Sequence, residues 1–162
     1  VLQLDRNRHF LELARASYTL NGFKFNPEEF LAGDFFTWIG RLKQMGKLFD
    51  CIFLDPPYFS ITSKGRVDQA QESFRLINKV RPLIVENGFL VVINNALFTS
   101  GEEFLRLLEN LCANGYLTID SLIPVPEDVT GFANTIITQP PTDPSPFNHS
   151  TKIVVLRVTR RK

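Results

Sequence analysis

Two rhythms of apolar residues alternate along this chain. Between residues 8 and 20, Phe10, Leu11, Leu13, Ala14 and Tyr18 recur at helical spacing, and the stretch stops at Asn21-Gly22. Residues 28–31 have the length of a short strand, and residues 35–45 repeat the helical pattern up to Gly46. A compact apolar run, residues 51–54, then predicts a buried parallel strand. Residues 67–85 predict a long amphipathic helix, interrupted near Pro82 and stopped by Asn87-Gly88. A buried strand over 89–93 and a periodic helix over 102–113, closed by Asn114-Gly115, follow. Alternation over 117–123 and 153–158 predicts a closing antiparallel pair. Between those two, residues 124–149 carry six prolines and form an irregular excursion too long for a simple hairpin turn. This order of strands and helices predicts an α/β fold with a doubly wound, mostly parallel sheet.

The most informative segment is Asp50-Cys51-Ile52-Phe53-Leu54-Asp55-Pro56-Pro57-Tyr58-Phe59-Ser60. The strand halts at a carboxylate, and the two prolines neither extend a ladder nor enter a helix interior. Asp55 is thereby presented at the carboxyl end of a strand, where open α/β sheets bind ligands. The Asp55 carboxylate and the Pro56 carbonyl accept hydrogen bonds, and Tyr58 offers a stacking face, a set that suits a flat, amino-bearing heterocycle. The plainer alternative is a Pro-Pro turn in which Asp55 caps the next element.

Asp55-Pro56-Pro57-Tyr58 resembles motif IV of the S-adenosylmethionine-dependent methyltransferases of Rossmann-like fold, and other segments match in order. Leu2-Gln3-Leu4-Asp5 is similar to the end of that family's second strand, whose acidic residue binds the cofactor ribose. Ala32-Gly33-Asp34-Phe35-Phe36 is similar to the loop after its third strand, which implies Asp34 on the adenine amino group and Phe35 near the ring. The residues after Asp55, through Ser60, Ser63 and Lys64, resemble most the large-subunit ribosomal RNA enzymes that methylate cytosine C5 or guanine N7. So does His149-Ser150-Thr151-Lys152-Ile153-Val154 near the end. The resemblance implies a strand order 3-2-1-4-5-7-6 with the last strand antiparallel, S-adenosyl-L-methionine as cofactor, and RNA, in particular ribosomal RNA, as partner. It assigns Asp55, Pro56, Tyr58 and Asn94 to the chemistry, Asp5, Asp34, Phe35 and Asp55 to the cofactor, and Tyr58, Ser60, Lys64 and Asn95 to the substrate. Asp5 and Asp34 have a plainer alternative as strand-end or turn carboxylates.

The family's glycine-rich turn lies upstream of the ribose carboxylate, yet here the chain opens at Val1 on the strand that ends with Asp5. The expectation is a partial methyltransferase domain over residues 1–162, from the second strand onward, with the first strand missing. Without the backbone donors of that turn, this chain alone is expected to hold the cofactor poorly, and exposed sheet edges invite self-association. The target atom stays open. Cytosine-C5 enzymes first add a cysteine thiolate to the ring. In the C5 subgroup that cysteine follows the next strand, where this chain reads Val91-Val92-Ile93-Asn94-Asn95-Ala96-Leu97-Phe98. Cys51 stands about 13 Å from Asp55 along an extended strand. Asn94-Asn95 resembles the guanine-N7 subgroup, with a strand-ending turn as its plainer alternative. Asp55-Pro56-Pro57-Tyr58 equally resembles enzymes that methylate exocyclic amino groups. A binding module with a degenerate methyltransferase fold is the competing class.

Composition narrows little further. With 44% hydrophobic and 22% charged residues, the chain suits one soluble domain with a sizeable core. A net charge of +1 excludes a global basic field, leaving only Arg157, Arg160, Arg161 and Lys162 as a local cluster, either a frayed terminus or an RNA contact. Cys51 and Cys112 read as buried small hydrophobes, which points to a reducing, cytoplasmic setting. No apolar run approaches the length that spans a bilayer, about 20 residues. His9 and His149 lack partners at ligand spacing, so no metal site is expected.

Overall fold

The computed structural model describes residues 1–57, 59–62, 65–131, 134 and 143–160. The chain divides into two compact units, residues 1–46 with 61–65, and residues 47–60 with 66–162.

In the first unit, β1 (Gln3–Asp5) pairs in parallel with β2 (Phe30–Ala32), Asp5 standing opposite Ala32. The connection between them is α1 (Arg8–Leu20), capped by the Asn7 side chain, which accepts from the His9 N–H, and ended at Asn21 before a left-handed Gly22. The strand expected at 28–31 begins later. Asn26 accepts from the Glu28 N–H and Pro27 opens a single 3₁₀ turn over Pro27–Glu29, so extended structure starts only at Phe30. Helix α2 (Phe35–Gln44) runs as expected, to a left-handed Gly46. Leu11, Phe30, Ile39 and Leu42 are buried here, with Tyr18 packed edge-on against Phe23, Phe25 and Phe30.

The second unit is built on a four-stranded sheet of order β3-β6-β8-β7, from β3 (Phe49–Leu54), β6 (Ile84–Asn94), β7 (Leu117–Ile123) and β8 (Lys152–Val158). β3 runs parallel to β6, and β8 is antiparallel to both of its neighbours. Helix α3 (Gln69–Val80) links β3 to β6, α4 (Gly101–Cys112) links β6 to β7, and one helical turn, α5 (Glu127–Thr130), follows β7. Two short strands, β4 (Phe59–Thr62) and β5 (Gly65–Asp68), pair with each other. The orders β2-β1 and β3-β6-β8-β7 are the 3-2 and 4-5-7-6 sections of the expected arrangement, and no strand corresponding to the first one occurs among the described residues.

Three expectations need correction. The helix expected from Val67 starts at Gln69, after β5, and ends at Val80, because Pro82 lacks the N–H an α-helix needs and seeds a 3₁₀ turn over Arg81–Leu83. Asn87-Gly88 does not stop a helix. It forms an irregularity inside β6, where Ile84 faces Phe49 but the next partners are Phe89 and Cys51. Asn87 is left-handed (φ 64°), and a Cβ on Gly88 would stand 2.8 Å from the Asp50 carbonyl. The third correction concerns burial. Cys51 and Phe53 project from the same face of β3, and that face is open: Cys51 is exposed and Phe53 is 72% exposed, whereas Leu54, on the other face, is buried. Cys112 is half-buried on α4.

The two described residues of the basic cluster near the end both have partners within the fold. Arg157 donates to Asp120 Oδ1 from Nε (3.2 Å) and Nη2 (2.7 Å) and lies over the Phe89 ring. Arg160 donates to the carbonyls of Gly115 and Asn114 and faces Tyr116. Arg161 and Lys162 lie outside the described residues.

Candidate active site

The parallel pairing of β3 with β6 brings their carboxyl ends together, Leu54 opposite Val92. Asp55 follows β3 directly and is exposed. Asn95 follows β6 directly, and its Nδ2 donates to Asp55 Oδ1 at 2.9 Å. Thr151 immediately precedes β8, and its hydroxyl donates to Asn95 Oδ1 at 3.0 Å. The direction of this chain of bonds follows from chemistry. An ionised carboxylate only accepts, so the Asn95 amide must turn its NH₂ toward Asp55 and its oxygen toward Thr151. One carboxylate oxygen is thus held in a fixed direction at a strand end, where most of the backbone ladder has finished.

The Asn pair divides into two tasks. Asn94, expected among the chemical groups, is only 1% exposed. Its Oδ1 accepts from the Ala96 N–H (2.9 Å) and its Nδ2 donates to Ser73 Oγ (3.5 Å), so it braces the turn from below. Asn95 is the member that reaches Asp55. Pro56 is half-buried beside it, and Ser60 falls in β4. Tyr58 and Lys64 lie outside the described residues.

Two residues at this end of the sheet carried no assigned role from the sequence. Thr151 completes the bond chain to Asp55. Lys152 is fully buried (0% exposed), and its Nζ donates to the carbonyls of Ser150 (2.7 Å) and Ala96 (3.1 Å). Taking an ammonium out of water costs several kcal/mol, which such bonds offset only in part. Burial accordingly holds its pKa below the ordinary lysine value, while the Glu103 carboxylate pulls the other way. Glu103 belongs to the capping box of α4. Its carboxylate accepts from the Ser100 N–H (2.9 Å), its own N–H donates to Ser100 Oγ (3.1 Å), and the Ser100 bonds hold its carboxyl below the usual range. The sequence signal for Thr151 and Lys152 was a polar pair opening an apolar strand, which alone does not distinguish a buried cation from a solvated one.

In the first unit, Asp5 and Asp34 occupy the carboxyl ends of two paired parallel strands. Asp5 Oδ1 accepts from the Asn7 N–H (2.6 Å), and the Asp5 carbonyl accepts from Gly33 N–H (3.0 Å), tying the two strand ends together. Asp34 caps α2, its Oδ1 accepting from the Thr37 N–H (3.0 Å) and hydroxyl (3.1 Å). Phe35 opens that helix, edge-on to Phe36 at 5.1 Å between centroids.

A sequence model of the S-adenosylmethionine-dependent methyltransferases matches residues 1–127 of the 162. The chain belongs to this family. Its curated relatives include ribosomal RNA large subunit methyltransferase K/L of Psychrobacter arcticus, 33% identical over 99 residues, a match covering 59% of this methyltransferase chain and 12% of that protein. Ribosomal RNA large subunit methyltransferase I of Escherichia coli is 26% identical over 109 residues, covering 67% and 27% respectively. The chain thus spans a small part of the length of the curated relatives it matches. Among solved structures, SMU.776 complexed with SAH superposes with a TM-score of 0.76 at 19% identity, over 96% of this chain and 38% of that one. A methyltransferase from Agrobacterium tumefaciens gives 0.61 at 14% identity, over 97% and 48%. These likenesses establish the Rossmann-like methyltransferase fold.

The donor set in the first unit fits the family's cofactor. Carboxylates are pure acceptors, as ribose hydroxyls and an adenine amino group require. Asp5 and Asp34 would hold the nucleoside, with Phe35 the nearest aromatic ring in sequence. S-adenosylmethionine supplies a methyl group already activated on a sulfonium. Among the described residues no helix is long and apolar enough to cross a membrane, and no group of metal-ligating side chains forms.

Proposed function

We propose that this chain carries the methyl-transfer site of an S-adenosylmethionine-dependent methyltransferase acting on a base of ribosomal RNA in the cytoplasm. The observation that carries the reading is the fixed direction of Asp55, held at the end of β3 by Asn95, itself held by Thr151. With the electrophile already activated, what the protein must add is alignment of a nucleophile, and such positioning lowers a barrier by up to about 10 kcal/mol. Asp55 and Pro56 orient the base, and Tyr58 stacks on it. The large-subunit ribosomal RNA methyltransferases among its relatives support the substrate class. A base in single-stranded RNA is the easiest to present, because unstacking it costs least there.

The test is transfer of labelled methyl groups to ribosomal RNA from a strain lacking the gene, using the purified protein. Asp55→Ala should lower transfer by orders of magnitude with cofactor affinity and melting temperature nearly unchanged. Full activity in Asp55→Ala would show a structural cap, and absence of transfer by the unsubstituted protein would favour a binding module.

A second reading has a specific observation in its favour. The Asn95 bond leaves Asp55 presented as an acceptor. The Hoogsteen edge of guanine offers only the acceptors N7 and O6, whereas an exocyclic amino group donates. The geometry therefore suits an adenine N6 or guanine N2 target better than guanine N7. Mass analysis of the modified nucleoside separates them.

A further inference from the structure

The antiparallel ladder between β6 and β8 has its last partners at Asn94 and Lys152. Beyond that rung the two strands carry the site, Asn95 and Ala96 on one side, Thr151 and Ser150 on the other. The Thr151 hydroxyl bridges the side chains at 95 and 151. The backbone carbonyls beside them, at 96 and 150, converge on the Lys152 ammonium. The opposite face of Ala96 is also held, since its N–H donates to Asn94 Oδ1. Where the ladder stops, a buried cation takes its place.

We infer that Lys152 is a positioning residue for Asp55: its ammonium clamps the two segments that carry Asn95 and Thr151, and so sets the direction in which Asn95 holds the carboxylate. A methionine or leucine of similar volume would fill the site without desolvating a charge. An aliphatic side chain would take the ammonium from the Ser150 carbonyl and leave the Ala96 carbonyl only the longer bond from the Thr99 N–H (3.3 Å), just where Asn95 and Thr151 must meet. Glu103, on the first turn of α4, contributes an opposing charge that offsets part of the cost of burying the cation. The clamp acts on Asn95, and through it on Asp55, so it rests on Asp55 as the working carboxylate. Its test needs neither cofactor nor RNA, so the clamp and the proposed activity fail separately.

The measurement is hydrogen exchange of the Asn95 side-chain amide in the 162-residue chain, resolved by ¹⁵N NMR and assigned through Asn95→Asp. In Lys152→Met the Asn95 NH₂ should exchange about tenfold faster or more, the penalty of leaving a buried acceptor unpaired. Backbone amides at the other end of the ladder, Phe89 and Arg157, should keep their rates. Lys152→Gln, whose donor is one atom shorter and cannot reach both carbonyls at their native distances, should fall between. Unchanged Asn95 exchange in folded Lys152→Met overturns the inference, as does acceleration spread evenly from Phe89 to Asn94. Should Lys152→Met fail to fold, Lys152→Gln decides: faster exchange confined to Asn95 supports the clamp, and wild-type exchange overturns it.

Discussion

Replacing Asn95 by alanine tests whether Asp55 acts alone or as the end of a held chain. The substitution removes a donor 2.9 Å from Asp55 Oδ1 and leaves Thr151 to find another acceptor. Because Asp55 is exposed, water replaces the lost donor, and folding should lose only about 1 kcal/mol or less. Transfer should lose more. A charge-assisted bond that fixes the carboxylate's direction is worth about 1.5–3 kcal/mol. If it acts in the transition state, kcat falls about 10- to 150-fold. The two substitutions should then not add, since without Asp55 the Asn95 amide has nothing to orient. The assay is single-turnover methyl transfer for the wild type, Asn95→Ala, Asp55→Ala and the double variant, with melting temperatures measured in parallel. Wild-type kcat in Asn95→Ala would refute the reasoning. So would a double variant whose loss is the product of the two single losses.

Asp34→Ala should cost about 1 kcal/mol of stability by chemical denaturation, because it uncaps α2. Asp34→Asn keeps a capping oxygen, so it should retain that stability while weakening cofactor affinity measured by calorimetry; equal affinity would leave Asp34 as a cap alone. Gly88→Ala should destabilise by about 1–3 kcal/mol in a denaturant titration, since the added Cβ meets the Asp50 carbonyl at 2.8 Å and the side chain of Ile84 at 2.6 Å. The Glu103 carboxyl is held below its ordinary range, so its contribution is complete above that range and disappears as pH falls through the lowered value. Glu103→Gln should therefore lower stability near neutrality, flatten the acid limb of a stability–pH curve and converge with the wild type at low pH, and an unchanged acid limb would refute the assignment.

Much of this protein was determined by local sequence. The periodicity of residues 8–20 and 35–45, with their Asn and Asp caps and closing glycines, was sufficient for α1 and α2, because a helix satisfies its backbone within one contiguous segment. Asp55 at the end of a strand was equally legible, since two prolines allow little else. Only the tertiary structure decided which sheet faces are covered, and hence that Cys51 and Phe53 face solvent although their apolar run reads as buried. Asn87-Gly88, a helix stop by local rules, became an irregularity inside β6 because β3 lies alongside and accepts the extra residues there. The site divides in the same way. Asn94 and Asn95 are indistinguishable as letters, yet strand pairing turns one into the core and the other toward Asp55. Thr151 and Lys152, far downstream, acquire their roles only because β8 runs antiparallel beside β6. A hydrogen bond or a buried charge depends on what the fold brings within about 3 Å, and that distance is a property of the folded chain, not of sequence order.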